Sequence, residues 1–356
     1  MAAAYLNRIS TAVPDHDVHE TFMGFAGRIL QEDGRDRLFR RMADRAQINH
    51  RWSSLRPAAP GSETVDQDGF YNIGTFPTTA ARMRRYEAAA PPLADRAVEG
   101  LQLARPDTIT HLIVISCTGL SAPGLDFHLI RKFGIPASVE RTSVGFMGCY
   151  AAINGLKLAR HIVRSDPEAR VLMLSLELCT LHLQDTRDME QVLSFMIFGD
   201  GCAAAIISSQ ETGFALDSFK SVMIPETSGH ITWNIGDQGF DMVLSGQVPG
   251  SIGQSLGQRT SEILPDVNLE DIALWAVHPG GRSVLDAVQH AFELPAPALA
   301  HSRDVLRDYG NMSSATVLFV LDAMMRDSTT MPGSLGCAMA FGPGIIAETM
   351  QFSVAR

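Results

Sequence analysis

The sequence has few of the features that anchor chains to membranes or cross-link them. No run of 18 uninterrupted apolar residues occurs, which excludes an ordinary transmembrane helix. The five cysteines are widely spaced and form no Cys-x-x-Cys pair, so neither a disulfide framework nor a cysteine zinc site fits them. We therefore expect five free thiols and no metal.

Lysine and positive charge in general are also scarce. Only three of the 29 basic residues are lysine, and the formal net charge is −10. This balance argues against a nucleic-acid partner or a membrane-surface partner, because both are polyanions that the protein's field would repel. An anionic ligand would need a local basic patch. Scarce lysine with abundant alanine is typical of a GC-rich bacterial genome, and the first residues lack a secretory-signal pattern, so we expect a cytoplasmic protein.

What the sequence does contain is ordinary for a globular enzyme. The 356 residues are 46% hydrophobic and 19% charged. That length corresponds to about two domains or one large domain of two parts. Disorder over most of the chain is excluded, because this composition can bury a large core.

Strand and helix patterns alternate along the chain, which predicts an α/β fold. Short apolar runs predict buried strands at 111–117, 171–176, 202–207, 272–277 and 336–340. Helical periodicity follows at 125–133, at 150–163, from residue 282 to about 292, and from 309 to 325.

The second half of the chain echoes the first. A strand ends at Cys117 and a helix begins at Cys149, 32 residues later; His278 and Asn311 are separated by 33 residues in the same arrangement. We interpret this as two βαβ-type halves related by pseudo-symmetry, with residues 1–215 in the first half and 216–356 in the second.

Three residues fall where an α/β sheet presents chemistry, at carboxyl ends of strands and amino ends of helices: Cys149, His278 and Asn311. Each also has a purely structural explanation, since free cysteine often only packs, histidine can be a satisfied core residue and asparagine is a favoured helix N-cap. A cysteine at a helix amino terminus, however, feels the positive end of the helix dipole, which predicts a lowered pKa for Cys149 and a reactive thiolate. Gly145 and Gly148 leave backbone N–H groups free for an oxyanion.

Five motifs occur in family order and cover nearly the whole chain. They are Gly145-Phe146-Met147-Gly148-Cys149-Tyr150-Ala151-Ala152, Phe198-Gly199-Asp200-Gly201, His278-Pro279-Gly280-Gly281, Tyr309-Gly310-Asn311-Met312-Ser313-Ser314-Ala315 and Phe341-Gly342-Pro343-Gly344. Together they resemble the signatures of type III polyketide synthases, the chalcone and stilbene synthase family. The resemblance implies a thiolase-like fold with a layered α-β-α-β-α core, a homodimer, and iterative decarboxylative condensation of malonyl-CoA onto an acyl-CoA starter without metal or redox cofactor.

The resemblance also assigns roles to the three candidate residues. Cys149 matches the nucleophile that carries the acyl chain as a thioester. His278 matches the partner that keeps this thiol as thiolate and, with Asn311, stabilises the enolate of decarboxylated malonyl-CoA. Chemistry agrees, because loss of CO2 itself generates the carbanion and the developing oxygen charge needs only hydrogen-bond donors.

Further residues match positions that the family uses for substrates. Arg41 and Arg45, four apart in an arginine-rich segment, match two of three CoA phosphate positions, while the third falls on Leu38. A solvated helix face is the alternative interpretation of these arginines. Gly280 and Ser313 lie in motifs expected to contact the CoA thioester.

The remaining matches concern the cavity. Phe198 matches an aromatic gate, and a second gate falls at Met242, or at Phe240 if the register differs; core packing explains these residues equally well. Cys117, Cys179 and His182 fall where plant members have small hydroxyl side chains, and Trp233 falls where many have glycine. These differences predict a product other than a plant chalcone.

Two other functions stay open. A chain-initiating β-ketoacyl-carrier-protein synthase shares Cys, His, Asn and the fold, although the Gly342-Pro343-Gly344 loop and the arginine-rich segment favour the polyketide synthase. A non-catalytic thiolase-fold partner protein is the alternative of another class, and the intact Cys149, His278 and Asn311 argue against it. We expect an aliphatic acyl-CoA starter and a pyrone, resorcinol or phloroglucinol product.

Overall fold

One hydrogen-bonded sheet of nine strands organises the chain, and helices cover it. The computed structural model describes residues 2–31, 34–59, 62 and 64–356. No helix within these described residues combines the length and the apolar character that crossing a bilayer requires.

The strands are β1 (Tyr5–Ala12), β2 (His16–Asp17), β3 (Trp52–Ser53), β4 (His111–Ser116), β5 (Glu140–Gly145), β6 (Val171–Leu178), β7 (Asp200–Ser208), β8 (Phe214–Met223), β9 (Ile231–Gly236), β10 (Gly239–Leu244), β11 (Ile272–Val277), β12 (Leu335–Gly342) and β13 (Ile346–Val354). The helices are α1 (His19–Gln31), α2 (Asp36–Ala46), α3 (Thr79–Gly100), α4 (Leu125–Phe133), α5 (Ala151–Ser165), α6 (Met189–Phe195), α7 (Val248–Gln258), α8 (Thr260–Ile263), α9 (Arg282–Ala291), α10 (Ala300–Tyr309) and α11 (Thr316–Arg326). The predicted strands and helices are confirmed, with one boundary corrected: the helix expected to open at residue 309 begins at Thr316, after a 3₁₀ turn over Ser313–Ala315.

The strand order repeats between the two halves of the sheet. The order is β11-β12-β13-β8-β1-β7-β6-β4-β5. In both halves a parallel pair (β4 with β6, β11 with β12) is followed by two antiparallel pairings. Within the described part of the sheet, the halves join through two residue pairs between β1 and β8. Strand β5 extends the first half beyond β4, and the boundary at residue 215 stays a prediction.

Alternation along the strands separates the core into layers. On β7, Ala203, Ala205 and Ile207 face a central cluster that also holds the buried residues of α5 and α11, while Cys202, Ala204 and Ile206 face an outer cluster with α1 and α3. On β12, Ala338 and Ala340 face the same central cluster, and Met339 faces a second outer cluster with α7 and α9. This is the layered α-β-α-β-α arrangement expected from the sequence, with α5 and α11 as its middle layer.

Candidate active site

The turn before α5 positions Cys149. Phe146 and Gly148 have positive φ angles of 57° and 75°. A Cβ on Gly148 would lie 2.3 Å from the Cδ of Pro343, and one on Gly342 would lie 2.7 Å from the ring of Tyr150. Only glycine permits this approach. The Gly342-Pro343-Gly344 loop therefore packs directly against the turn that carries the cysteine.

His278 follows the last residue of β11. Its backbone N–H donates to the carbonyl of Met339 at 2.7 Å, which ties it to the neighbouring strand. The residue is 1% exposed, and neither ring nitrogen has a hydrogen-bond partner among the described residues. Two unsatisfied nitrogens in a buried ring are costly, so a hydrogen-bond partner that enters the site would stabilise this side chain.

Asn311 is held by the chain on both sides of it. Its Oδ1 accepts the backbone N–H of Ser313 at 2.8 Å, and its Nδ2 donates to the carbonyl of Gly280 at 3.3 Å. Its backbone N–H donates to Ile197 at 2.7 Å, and its carbonyl accepts from Gly199 at 3.0 Å. The amide is thereby fixed beside the histidine loop.

Cys149, His278 and Asn311 line one cavity of about 1080 Å³. Phe198, Gly280 and Met242 also line it, so both halves of the fold contribute residues to its wall. The structure thus brings together three side chains that span 162 positions of the sequence. A nucleophile, an imidazole and an amide donor in one chamber are the groups that acyl transfer through a thioester requires.

An inner pocket of about 40 Å³ lies behind this cavity. Every residue expected to shape the substrate cavity lines it: Cys117, Cys179, His182, Phe198, Trp233 and Met242. Phe198 and Met242 also line the main cavity, so they stand between the two spaces. Phe240 does not line either space; it stacks on His182 with ring centroids 4.2 Å apart. The structure therefore favours Met242 over Phe240 at the boundary.

His182 is fixed as part of the inner wall. Its Nε2–H donates to the carbonyl of Thr118 at 2.7 Å, and its Nδ1 accepts the backbone N–H of Phe240 at 3.0 Å. Burial lowers the pKa of His182 to about 3, which keeps the ring neutral. The indole of Trp233 donates to the carbonyl of Cys117 at 2.7 Å and meets the His182 ring edge-on. These rings fill space that small residues would leave open.

The expected lowering of the Cys149 pKa is wrong for the structure as it stands. The thiol contacts the hydroxyl of Ser313 at 3.8 Å, but enclosure by protein outweighs this contact and raises the pKa of Cys149 to about 12. Cys149 lies in a 3₁₀ turn over Gly148–Tyr150 ahead of α5, so it does not sit directly on the helix end. Burial likewise lowers the pKa of His278 to about 3.

These two shifts determine how the pair can ionise. Neither the thiolate nor the imidazolium is stable alone in this enclosure. A proton that passes from the Cys149 thiol to His278 creates both charges at once, and each then stabilises the other. We therefore propose that formation of a nucleophilic thiolate depends on His278 rather than on the helix dipole.

The binding residues expected for CoA separate into two groups. Arg45 and Gly280 line the main cavity, whereas Arg41 is exposed on α2 and lines none of the cavities described here. Ser313 lines the inner pocket beside Cys149 instead of the mouth. Arg282, which sequence reasoning missed, also lines the cavity, and its Nη1 donates to the carbonyl of Arg45 at 3.1 Å. Its position directly after the His278-Pro279-Gly280-Gly281 motif could have indicated it.

Sequence reasoning also missed Glu177, a fully buried carboxyl at the end of β6. Its Oε2 accepts from the backbone of Cys117 at 3.0 Å and from the hydroxyl of Thr118 at 2.8 Å, and its Oε1 accepts from Ser314. Burial raises the pKa of Glu177 to about 7 in spite of these hydrogen bonds. An apolar strand with a single carboxylate near its end was the available signal.

Comparisons with known proteins agree with this architecture. The family model for the N-terminal domain of chalcone and stilbene synthases matches residues 2–211, and the model for their C-terminal domain matches residues 215–355. The chain is 34% identical over 284 residues to "Alpha-pyrone synthesis polyketide synthase-like Pks18" of Mycobacterium tuberculosis, which covers 76% of this chain and 72% of that protein. It is 32% identical over 372 residues to bisdemethoxycurcumin synthase of Oryza sativa subsp. japonica, covering 96% and 90%.

Solved structures show the same fold. The C-terminal type III polyketide synthase domain of Steely1 from Dictyostelium superimposes with a TM-score of 0.90 at 23% identity, covering 99% of this chain and 100% of that one. PKS-I from the brown alga Ectocarpus siliculosus gives a TM-score of 0.87 at 27% identity, covering 99% of each chain.

Replacing His278 should make Cys149 unreactive near neutral pH. In His278→Gln no imidazole can take the thiol proton, and burial still dominates the pKa of Cys149, so we expect iodoacetamide to alkylate Cys149 more than about tenfold more slowly at pH 7 than in the unmodified protein. Mass spectrometry of the Cys149 peptide measures the rate. His290→Gln, an exposed histidine at the end of α9, is the matched control and should leave the rate unchanged. Equal rates in both variants would contradict the dependence on His278.

Glu177 should make stability fall as pH rises. Folding raises the pKa of Glu177 from 4.5 to about 7, so between these pH values the folded state holds a proton that the unfolded state has released. The stabilising contribution of this proton is complete below pH 4.5 and is lost as pH rises through 7. The shift corresponds to about 3 kcal/mol. We expect Glu177→Gln to remove a decline of this size from the urea-unfolding free energy measured between pH 5 and 8. The exposed Glu87→Gln is the control, and an unchanged decline in Glu177→Gln would contradict the assignment.

Proposed function

Because the chain belongs to the chalcone and stilbene synthase family, whose members are polyketide synthases of the acyltransferase type that use malonyl-CoA, we propose that it loads an acyl group from CoA onto Cys149 and extends it. The observation that carries this proposal is the shared cavity of Cys149, His278 and Asn311, with both nitrogens of His278 unpartnered among the described residues.

Loading is a transfer between two thiols. His278 takes the proton from the Cys149 Sγ, and the thiolate adds to the thioester carbonyl of the acyl-CoA. The carbon–sulfur bond to CoA breaks, and the CoA sulfur leaves with the proton from His278. A thioester on Cys149 and free CoA result, so no oxidant or reductant takes part.

Extension begins with malonyl-CoA in the same cavity. The bond to its carboxylate breaks, CO2 leaves, and the electron pair is delocalised onto the thioester oxygen. His278 and the Nδ2 of Asn311 donate to this oxygen; loss of one such donor typically costs about 3 kcal/mol of transition-state stabilisation. The α-carbon then attacks the acyl carbonyl, and the Cys149 thiolate leaves. The product is a β-ketoacyl-CoA two carbons longer.

The shapes of the main cavity and the inner pocket support a short, cyclised product. The main cavity can hold the pantetheine arm and a growing chain, whereas His182 and Trp233, against which Phe240 packs from outside the pocket, leave an inner pocket of only about 40 Å³. We propose an aliphatic starter and few extensions, ending in a pyrone, resorcinol or phloroglucinol. We also propose a homodimer, which the family resemblance implies; a cytoplasmic location stays a prediction.

The central experiment is incubation of the purified protein with a panel of acyl-CoA starters and malonyl-CoA. We expect pyrones, resorcinols or phloroglucinols without any carrier protein, and one acyl mass on Cys149 when malonyl-CoA is omitted. Cys149→Ala should abolish the adduct, while Cys337→Ala, a buried cysteine that lines none of the cavities described here, should retain it. A strict requirement for carrier protein would instead support the β-ketoacyl-carrier-protein synthase, and labelling that survives in Cys149→Ala would refute the nucleophile.

Arg45 and Arg41 should differ in their effects on CoA substrates. Because Arg45 lines the cavity and Arg41 does not, Arg45→Ala should raise KM for malonyl-CoA about fivefold with little change in kcat, the effect of losing one exposed ion pair. Arg41→Ala is the matched control and should change KM by less than about twofold. Steady-state kinetics at low ionic strength measure both values, and a larger effect at Arg41 would place the phosphate site one helical turn earlier on α2, outside the main cavity.

A further inference from the structure

A third void of about 40 Å³ lies beyond the inner pocket and has no part in the chemistry above. It shares Cys179, Phe195 and Phe198 with the inner pocket, so these side chains form the partition between them. Its remaining wall is mostly apolar and includes Val18, Phe22, Leu55, Val65 and Leu183, with Arg51 as its one charged residue. We call it the Arg51 pocket.

The guanidinium of Arg51 is buried but not fully paired. The residue is 2% exposed. Its Nη1 donates to the carbonyls of Phe195 and Phe198 at 3.0 and 3.1 Å, and its Nε donates to the Nδ1 of His19 at 3.1 Å. Its Nη2 has no hydrogen-bond partner among the described residues. An unmade hydrogen bond on a buried charged group costs more than one on a neutral group, so the arrangement favours an acceptor that arrives from elsewhere.

The charge of Arg51 also has no counter-ion in contact. No described carboxylate lies within ion-pair distance of its guanidinium, although Asp17 and Asp200 attract it from farther away and the ring centroid of Phe22 lies 4.7 Å from its Cζ. Asp17 accepts the backbone N–H of Arg51 and pairs with His50, and Asp200 accepts from Thr180 and Ser54. His19 is a neutral acceptor, because burial lowers its pKa to about 4. A buried cation in this state is stabilised most by an anion.

The other polar groups of the pocket are already satisfied. The hydroxyls of Ser53 and Thr180 hydrogen-bond each other at 2.8 Å, and the hydroxyl of Tyr71 donates to the carbonyl of Thr180 at 2.9 Å. The pocket therefore offers a ligand apolar contact and the free N–H groups of one cation, which together match a short carbon chain that ends in a carboxylate.

We propose that the Arg51 pocket receives the terminal carboxylate of a short dicarboxylic acyl group held on Cys149. The acyl chain crosses the inner pocket, passes the partition at Cys179, Phe195 and Phe198, and places its carboxylate on the Nη2 of Arg51. This inference rests on the proposed function. It assigns the starter to a narrower class, the CoA monothioesters of short dicarboxylic acids. A neutral carbonyl oxygen would accept one N–H but would bring no negative charge into contact with the guanidinium, which Asp17 and Asp200 attract only from a distance.

The test compares acyl-CoA starters that differ only in the terminal group of the acyl chain, at the end opposite the thioester. Succinyl-CoA, glutaryl-CoA and adipyl-CoA are each paired with the acyl-CoA that has an isopropyl group in place of the carboxylate, with malonyl-CoA as extender. We expect the unmodified protein to prefer the carboxylate at one of these lengths by at least about tenfold in kcat/KM, and Arg51→Met to remove most of that preference.

Arg82→Met is the matched control. Arg82 is also fully buried, donates to backbone carbonyls and has an Nη2 without a partner among the described residues, but it lines none of the cavities described here. Its variant should keep the preference. If Arg51→Met does not fold, Leu55→Phe keeps Arg51 but adds a larger side chain to the wall of the same pocket, and it should remove the preference in the same way.

The outcomes distinguish failure of this inference from failure of the proposed polyketide synthase function. Turnover of neutral starters without a carboxylate preference at any length, or a preference that survives in Arg51→Met or in Leu55→Phe, would overturn the inference and leave the polyketide synthase intact. An equal preference for 5-oxohexanoyl-CoA over its isopropyl analogue would assign the pocket to a neutral oxygen and overturn the carboxylate. Absence of turnover with every starter would overturn both.

Discussion

The structure depends on one packing constraint: two helices, α5 and α11, are enclosed between two half-sheets. Small residues on the facing strands, such as Ala203, Ala205, Ala338 and Ala340, let the helices approach both sheets closely. Because the halves repeat one strand order, the two helices begin at the same end of the layer. The turn that carries Cys149 and the turn that carries Asn311 therefore open into one cavity, and the layer that supplies stability also assembles the site.

Burial determines the chemistry of that site. The same enclosure that excludes water raises the pKa of Cys149 and lowers that of His278, so each group is neutral in isolation. A charge becomes stable there only when another charge or a hydrogen-bond donor faces it. We propose that the ring of His278, which has no hydrogen-bond partner in the described part of the chain, and the fixed amide of Asn311 supply those partners when negative charge develops.

The cavity system extends this principle beyond the reacting atoms. Phe198 and Met242 divide the main cavity from an inner pocket that is narrowed by His182 and Trp233, and a second partition leads to Arg51. Each partition is built from side chains rather than backbone, so substitutions there change the shape of the space without changing the fold. We therefore propose that the residues of these partitions influence substrate choice separately from the residues that form the fold.

The sequence alone determined the α/β alternation, the two related halves and the three residues Cys149, His278 and Asn311, because strand and helix periodicity and ordered motifs are local properties of the chain. The tertiary structure decided which charges are buried. It reversed the expected direction of the Cys149 pKa, separated Arg45 from Arg41, and revealed Glu177 and Arg51. These properties depend on residues far apart in the chain that enclose one another, and local periodicity does not encode solvent exclusion.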